Sequence, residues 1–320
     1  MKTRRKPKKF ITNKSLLKRK ISLALLVLGI LILVIALFAK ATNDSQELKE
    51  EHTEIEEGIV EDYEDEEIEV NEPEINARSL LFVRDNEEIF SKESDLKLPI
   101  ASLTKLMTAL IVLDNYDLNE TIVITERAFL RDFSRTSGFF VGEKYTVKDL
   151  LHPLLMESSN ATAYALAQRL RELPDEEEYR DNLNNFIYSM NQRAKSLGMN
   201  DTYFINPCGL DPSSNQTANY STAQDLLLLA REVANYPLIL EITSLPSFNL
   251  SRLDGFVKHR IVNTNVLLSE IPGIIGGKTG TTARAQQCLL LITDQEEILV
   301  ILGSQDRFGE ARKLFNSVER

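Results

Sequence analysis

The sequence predicts a mixed α/β domain in which strands from both ends of the folded part form one antiparallel sheet, with a helical block inserted between them. Strand-like runs occur at the start of this part, in residues 78–92, and near its end, in residues 274–304. The long segment between them has helical periodicity instead. In front of the domain, an uncharged apolar run predicts one transmembrane helix.

The elements of the domain follow in order along the chain. RSLLFVRD and EEIFSK indicate two strands joined by a turn at Asp85 and Asn86. Pro153 is expected to bend one of the predicted helices or to lie near its start. The predicted helices of the block are at 102–116, 147–157, 161–173, 177–198 and 221–236. Three strands, IIGGKTG, QCLLLITD and EEILVILGS, and a helix at about 306–318 complete the domain.

Charge divides the N-terminal region into two blocks. Residues 2–20 carry ten Lys or Arg and no acid, whereas residues 44–74 carry sixteen Asp or Glu and one Lys. Between them, residues 21–39 (ISLALLVLGILILVIALFA) contain no charge and no proline. At ~1.5 Å per residue a helix of this length spans roughly 28 Å, which matches a bilayer core. We therefore predict a transmembrane helix at 21–39.

The charge pattern also predicts an orientation. The basic segment 1–20 is expected to stay cytoplasmic, so that the folded domain, residues 76–320, lies outside the cytoplasm on the cell membrane. Residues 40–75 are predicted to be an acidic disordered linker. A cleaved signal peptide is the alternative, because Ala39-Lys40-Ala41 has the form of a cleavage site. The apolar run exceeds the usual ~7–15 residues of such signals, which favours a retained anchor.

The composition of the domain narrows its partners. Residues 75–320 have a net charge of −7, with no basic run that would indicate nucleic acid binding. No metal-ligand spacing is present. The two cysteines, Cys208 and Cys288, stand eighty residues apart, and the sequence leaves open whether they form a disulfide.

Two short motifs indicate serine chemistry. Ser102 and Lys105 in PIASLTKLMTAL lie one helical turn apart, so the amine can act as a base beside the hydroxyl. Lysine is normally charged, with a pKa near ~10.4, so burial and a second cation would have to lower its pKa. Lys278 in IIGGKTGTT supplies that cation, and Thr279 and Gly280 follow it where a ligand backbone can lie along the strand.

A third motif, LLMESSNATAYALA, places Ser158 and Asn160 between two helices. Each motif alone has an ordinary structural reading: a helix start, a helix N-cap, or a glycine-rich strand end. Together Ser-x-x-Lys, Ser-x-Asn and Lys-Thr-Gly occur in this order, each at the end of an element. Their conjunction indicates a serine acyl-transfer enzyme.

The chain resembles the low-molecular-mass penicillin-binding proteins that are serine-type D-alanyl-D-alanine carboxypeptidases. The resemblance covers roughly residues 76–320 and includes ASLTKLMTAL, VKDLLHPLLMESSNATAYALA, MNQRAKSLGMNDTYFINPCGLD, STAQDLLLLAR and NTNVLLSEIPGIIGGKTGTT. It implies a β-lactamase/transpeptidase-like fold. The residues to which it assigns roles are Ser102 as nucleophile, Lys105 as base, Ser158 as proton relay, Asn160 for substrate positioning, Lys278 for electrostatics, and Thr279, Gly280 and Thr281 for binding the substrate and its terminal carboxylate.

The implied activity is removal of the terminal D-alanine from peptidoglycan stem peptides, without a cofactor and with β-lactams as covalent inhibitors. An endopeptidase that cuts crosslinks would use the same groups, and a non-catalytic wall-binding or sensor module of this fold is a further alternative. A class A β-lactamase is not favoured, because no loop with its deacylating glutamate is evident. A Ser-His-Asp hydrolase is not favoured either, since the histidines are His52, His152 and His259 and no Gly-x-Ser-x-Gly occurs.

Four positions depart from the family's pattern. Ser159 stands where glycine is frequent, Ala161 where an acidic residue is usual, and Gln286 where a glycine is common. Cys208, in NPCGL, stands where the family usually has histidine. These positions surround the predicted site, so we expect them to affect substrate preference and rate more than the class of reaction.

Overall fold

The computed structural model describes residues 74–129, 138–169, 176–212 and 218–318, all within the unit Asn71–Arg320. The predicted cytoplasmic segment, the predicted transmembrane helix and all but the last two residues of the predicted linker lie outside the described residues. Within the described ranges, no helix combines the length and the apolar composition needed to cross a bilayer.

A five-stranded antiparallel sheet forms the centre of the domain. The strands are β1 (Ser79–Arg84), β2 (Glu87–Lys92), β3 (Leu98–Pro99), β4 (Thr121–Val123), β5 (Lys144–Thr146), β6 (Tyr220–Ser221), β7 (Ser247–Ser251), β8 (Val257–Val262), β9 (Ile274–Thr282), β10 (Gln286–Thr293) and β11 (Glu297–Ser304). The sheet has the order β2-β1-β11-β10-β9, so the N-terminal pair joins the C-terminal three strands. This confirms the predicted sheet. The remaining strands pair as β3 with β6, β4 with β5, and β7 with β8.

Both faces of the sheet are covered. Because successive side chains of a strand point to opposite faces, Leu81 and Leu290 pack with the helical block, whereas Leu80 and Phe82 pack on the other side. The C-terminal helix covers that second face, where the rings of Phe82 and Phe315 lie 5.1 Å apart. The central strands are accordingly mostly buried, and every residue of β11 is buried.

The helices are α1 (Thr104–Asn115), α2 (Val147–Leu155), α3 (Asn160–Gln168), α4 (Glu176–Ser196), α5 (Ala223–Ala234), α6 (Pro237–Ser244) and α7 (Arg307–Ser317). Side-chain caps start α2, α3 and α5, where Thr146, Ser159 and Thr222 accept backbone N–H groups. Helix α1 is buried along most of its length, with every residue from Thr104 to Val112 buried. The polar side chains of this stretch, Lys105 among them, are therefore shielded from water.

The structure corrects two details of the helix predictions. The helix predicted over 161–173 ends at Gln168, because Arg169 adopts a left-handed conformation (φ 50°) that terminates α3. Its guanidinium then pairs with Glu120 at 2.8 Å. Pro153 lies inside α2 near its end, so the alternative that placed it near the helix start is wrong, and the bend stays a prediction.

The sequence did not predict helix α6, the hairpin formed by β7 and β8, or the short strands β3 to β6. The structure also shows whether the two cysteines form a disulfide. Cys208 and Cys288 are both buried, and no disulfide joins them.

Candidate active site

Ser102 lies just before the first residue of the buried helix α1. It belongs to a short 3₁₀ turn, Ala101–Leu103, that leads directly into α1. The side chain of Lys105 is fully buried, and its Nζ lies 2.8 Å from Ser102 Oγ. The structure therefore brings together the first predicted pair, one turn apart on the same helix face.

Lys105 Nζ connects two further segments to Ser102. It donates to Asn160 Oδ1 and to the backbone carbonyl of Cys208, both at 2.8 Å. Asn160 is the first residue of α3, so the Ser-x-Asn motif meets the Ser-x-x-Lys motif as predicted. The contact with Cys208 was not predicted. Because it uses the carbonyl oxygen, it does not depend on the side chain at this position, where the family pattern has histidine.

The loop around Cys208 is held by an asparagine. Asn206 Oδ1 accepts the backbone N–H groups of Cys208 at 3.1 Å and of Gly209 at 2.6 Å. Gly209 has φ +83°, and a Cβ atom there would overlap the backbone of Ala101. Glycine is therefore required by both the turn and the close packing against the residue that precedes Ser102.

Ser158 has a different environment from the other motif residues. It adopts a left-handed conformation with φ 65°, between α2 and α3. Its hydroxyl is buried and has no hydrogen-bond partner within the described part of the chain. Ser159, the next residue, caps α3 by accepting the N–H of Thr162. The Ser158 hydroxyl can therefore reorient towards a bound molecule.

Lys278 lies on β9 and is 1% exposed. Its Nζ donates to the carbonyl of Thr279 at 2.9 Å. Burial lowers the pKa of Lys278 well below its usual value, and repulsion from the charges of Lys105 and Arg307 lowers it further. An anionic ligand bound beside Lys278 and Arg307 would therefore favour the protonated form of Lys278.

The end of β9 approaches the Ser102 turn. A Cβ atom on Gly280 would lie 2.8 Å from the backbone nitrogen of Ser102, so the strand and the turn are in direct contact. Arg307 binds this strand end from α7, since its Nη1 donates to Gly280 O and to Thr281 Oγ1, both at 2.7 Å. Thr279 is buried, and its hydroxyl lies 2.6 Å from that of Thr264.

Sequence reasoning did not identify Arg307. A signal was available, because Arg307 is the first residue of α7, where the helix dipole disfavours a cation. An arginine in this position indicates that its guanidinium interacts with a group outside the helix, and here that group is the end of β9.

The site combines a serine hydroxyl, an adjacent buried amine and a cationic strand edge. These groups are the components of a serine acyl-transfer site, and the cationic strand edge can hold an anionic group.

Comparisons with known proteins agree with this class. Residues 66–306 match the model of the Peptidase_S11 family, D-alanyl-D-alanine carboxypeptidase, and the chain belongs to this family. The chain is 32% identical over 66% of its length to D-alanyl-D-alanine carboxypeptidase DacF of Bacillus subtilis (strain 168), and it spans about half of that relative, 52%. It is 35% identical to the D-alanyl-D-alanine endopeptidase of Pseudomonas aeruginosa, over 69% of this chain and 68% of the relative.

The fold also matches a solved structure. The crystal structure of the Streptomyces K15 DD-transpeptidase superposes with a TM-score of 0.68 at 26% identity, covering 77% of this chain and 97% of the other. The domain therefore has the mixed α/β fold of the penicillin-binding proteins. The transmembrane helix placed before this domain in our prediction lies outside the described residues.

Proposed function

We propose that the protein is a serine D-Ala-D-Ala carboxypeptidase that removes the terminal D-alanine from peptidoglycan stem peptides through an acyl-enzyme on Ser102. The observation that carries this proposal is the hydrogen bonding of Lys105. A neutral amine has two N–H donors and one lone pair. Asn160 Oδ1 and the Cys208 carbonyl can only accept, so they suit the two donors, while the Ser102 hydroxyl can donate to the lone pair.

The first half of the reaction follows from this arrangement. Ser102 Oγ attacks the carbonyl carbon of the penultimate D-alanine, and its proton passes to Lys105 Nζ. The backbone N–H groups of Ser102 and Thr281 would bind the oxyanion, and the approach of β9 to the Ser102 nitrogen supports this pairing. Loss of such a donor costs about 3 kcal/mol in comparable enzymes.

The second half releases the products. The tetrahedral intermediate collapses, the amide bond breaks, and the leaving nitrogen takes a proton through Ser158, whose buried hydroxyl has no other partner in the described structure. Water then attacks the ester and restores Ser102 and the shortened peptide. The terminal carboxylate would lie against Thr279, Thr281 and the guanidinium of Arg307, and its charge would favour protonation of Lys278.

The direct test is release of D-alanine from a pentapeptide that ends in D-Ala-D-Ala. The wild-type protein should release one D-alanine per peptide, and Ser102→Ala should release none. A wild-type protein that forms a stable penicillin adduct and releases no D-alanine would contradict the carboxypeptidase proposal.

An endopeptidase is the second candidate function, because the relatives from Pseudomonas aeruginosa and from Escherichia coli (strain K12), 35% and 34% identical to this chain, are D-alanyl-D-alanine endopeptidases. The same assay should therefore include a crosslinked peptide dimer. Cleavage of the dimer faster than the pentapeptide would favour the endopeptidase. Failure of both substrates and of penicillin would favour a non-catalytic wall-binding or sensor module.

We also propose that residues 21–39 anchor the protein in the cell membrane, with residues 1–20 in the cytoplasm and the catalytic domain outside. The apolar run and the basic segment before it support this orientation. Protease added to spheroplasts should degrade the catalytic domain and leave an N-terminal tag intact. Recovery of a mature protein that begins after Ala41 would instead demonstrate a cleaved signal peptide.

A further inference from the structure

The segment Asn263-Thr264-Asn265, part of the NTNVLL run, is held rigidly beside the site. Asn263 Nδ2 donates to the carbonyls of Thr243 at 2.9 Å and Leu245 at 3.0 Å, at the end of α6. Asn263 Oδ1 accepts the N–H of Asn265 at 2.9 Å. These bonds fix the backbone on both sides of Thr264, so its side chain has a defined direction.

Thr264 connects two of the three motifs. Its backbone N–H donates to Met156 O at 3.0 Å, and its hydroxyl lies 3.1 Å from the same carbonyl. Met156 comes two residues before Ser158. The hydroxyl also lies 2.6 Å from Thr279 Oγ1, next to Lys278 on β9. One side chain thus bridges the Ser158 loop and the strand edge.

The two hydroxyls have two hydrogens, which limits how they can be arranged. When Thr264 donates to Met156 O, the short contact requires Thr279 to donate to Thr264. When Thr264 donates to Thr279 instead, the hydrogen of Thr279 is available for a ligand. Met156 O keeps the N–H of Thr264 in both arrangements, so reversing the pair leaves no carbonyl unsatisfied.

We propose that Thr264 is a positioning residue that orients the Thr279 hydroxyl, so that Thr279 donates to the terminal carboxylate of the substrate. This inference rests on the proposed function, since it assumes that a carboxylate binds at the β9 edge. A carboxylate only accepts hydrogen bonds, so its arrival favours the arrangement in which Thr264 donates to Thr279 and Thr279 donates to the ligand.

The test compares Thr264→Val with Thr264→Ser in the full chain, purified in detergent. Valine keeps the shape and the backbone N–H but removes the hydroxyl, whereas serine keeps the hydroxyl. Acylation rates are measured by intact mass with benzylpenicillin, which carries a carboxylate, and with its methyl ester, which carries none. We expect Thr264→Val to slow acylation by benzylpenicillin about tenfold relative to the methyl ester, as for loss of one well-oriented hydrogen bond. Thr264→Ser should restore the wild-type ratio.

Three outcomes would overturn the proposal. Thr264→Val could slow both compounds equally, which would indicate a structural role alone, or it could change neither. Thr264→Ser could also fail to restore the ratio. The proposed function fails separately, if the wild-type protein is acylated by penicillin and releases no D-alanine from the pentapeptide. A wild-type protein that is not acylated at all would overturn both.

Discussion

Replacement of Gly280 by alanine tests how closely β9 and the Ser102 turn must approach. The added Cβ would lie 2.8 Å from the nitrogen of Ser102, 3.0 Å from the Cβ of Ala101 and 3.2 Å from the carbonyl oxygen of Ile100. Two of these three neighbours are backbone atoms, so no flexible side chain can move aside. The strand or the turn must shift instead.

The size of the shift follows from these distances. Ordinary contacts of a Cβ begin at 3.4 Å, so the closest approach must widen by about 0.6 Å. Overpacking of this kind costs ~1–3 kcal/mol of stability. A misplacement of ~1 Å costs on the order of 100-fold in rate, so we expect acylation to slow by at least about tenfold. Both proposed oxyanion donors, the N–H groups of Ser102 and Thr281, would be displaced relative to each other.

The assay is the second-order rate of acylation by benzylpenicillin, together with thermal unfolding. Gly255→Ala is the matched control, because Gly255 has φ +80° and nothing lies within 4 Å of its added Cβ. That substitution should cost stability, by ~1–2 kcal/mol, through its left-handed backbone and leave acylation unchanged. If Gly280→Ala is acylated at the wild-type rate, the argument that the contact between β9 and Ser102 sets the reaction geometry is refuted.

Three further predictions concern charged and nucleophilic groups. Lys278→Met should reduce acylation by at least ~100-fold and should raise the free energy of unfolding at pH 7. The folded protein holds the pKa of Lys278 well below its ordinary value, so between the folded and unfolded pKa values the unfolded chain binds more protons and wild-type stability rises with pH. Denaturant unfolding should therefore show a smaller stability difference between Lys278→Met and the wild type at pH 10 than at pH 7. A difference that does not change with pH would contradict this. Arg307→Leu should raise KM for D-Ala-D-Ala peptides by about tenfold or more, since it removes the charge held at Thr281, and an unchanged KM would remove Arg307 from the carboxylate site. Burial raises the pKa of Cys288 to about 11, so the native protein at pH 8 should take up no thiol reagent at Cys288 before it unfolds, as checked by peptide mass mapping.

The sheet and the Ser-x-x-Lys and Ser-x-Asn motifs could be predicted from the sequence because their signals are local. Hydrophobic runs at both ends of the domain indicated strands, and Ser102 and Lys105 stand only three residues apart, where the 3₁₀ turn leads into α1. The contact of Lys105 with Asn160 required only that the motifs converge, as the resemblance implied.

Other contributions to the site were missed because they depend on the tertiary structure. The carbonyl of Cys208 reaches Lys105 through a loop whose path is set by Asn206 and Gly209, and no pattern of residue types predicts a carbonyl direction. Thr264 is an ordinary threonine in the sequence, and its two contacts come from segments 108 and 15 residues away.

The missed hairpin did have a local signal. Asp254-Gly255 between β7 and β8 is a typical hairpin turn, and the alternation around it is weak because neither strand is buried in the main sheet. Helix α6 likewise begins with Pro237 at its first position, where proline favours a helix start.

The central claim is that Ser102 is the nucleophile that Lys105 activates. Intact mass spectrometry after incubation with benzylpenicillin, on the wild-type protein and on Ser102→Ala, tests it most directly. We expect the wild-type mass to increase by one penicillin and the mass of Ser102→Ala to stay unchanged. An adduct on Ser102→Ala, or no adduct on a folded wild-type protein, would contradict the account.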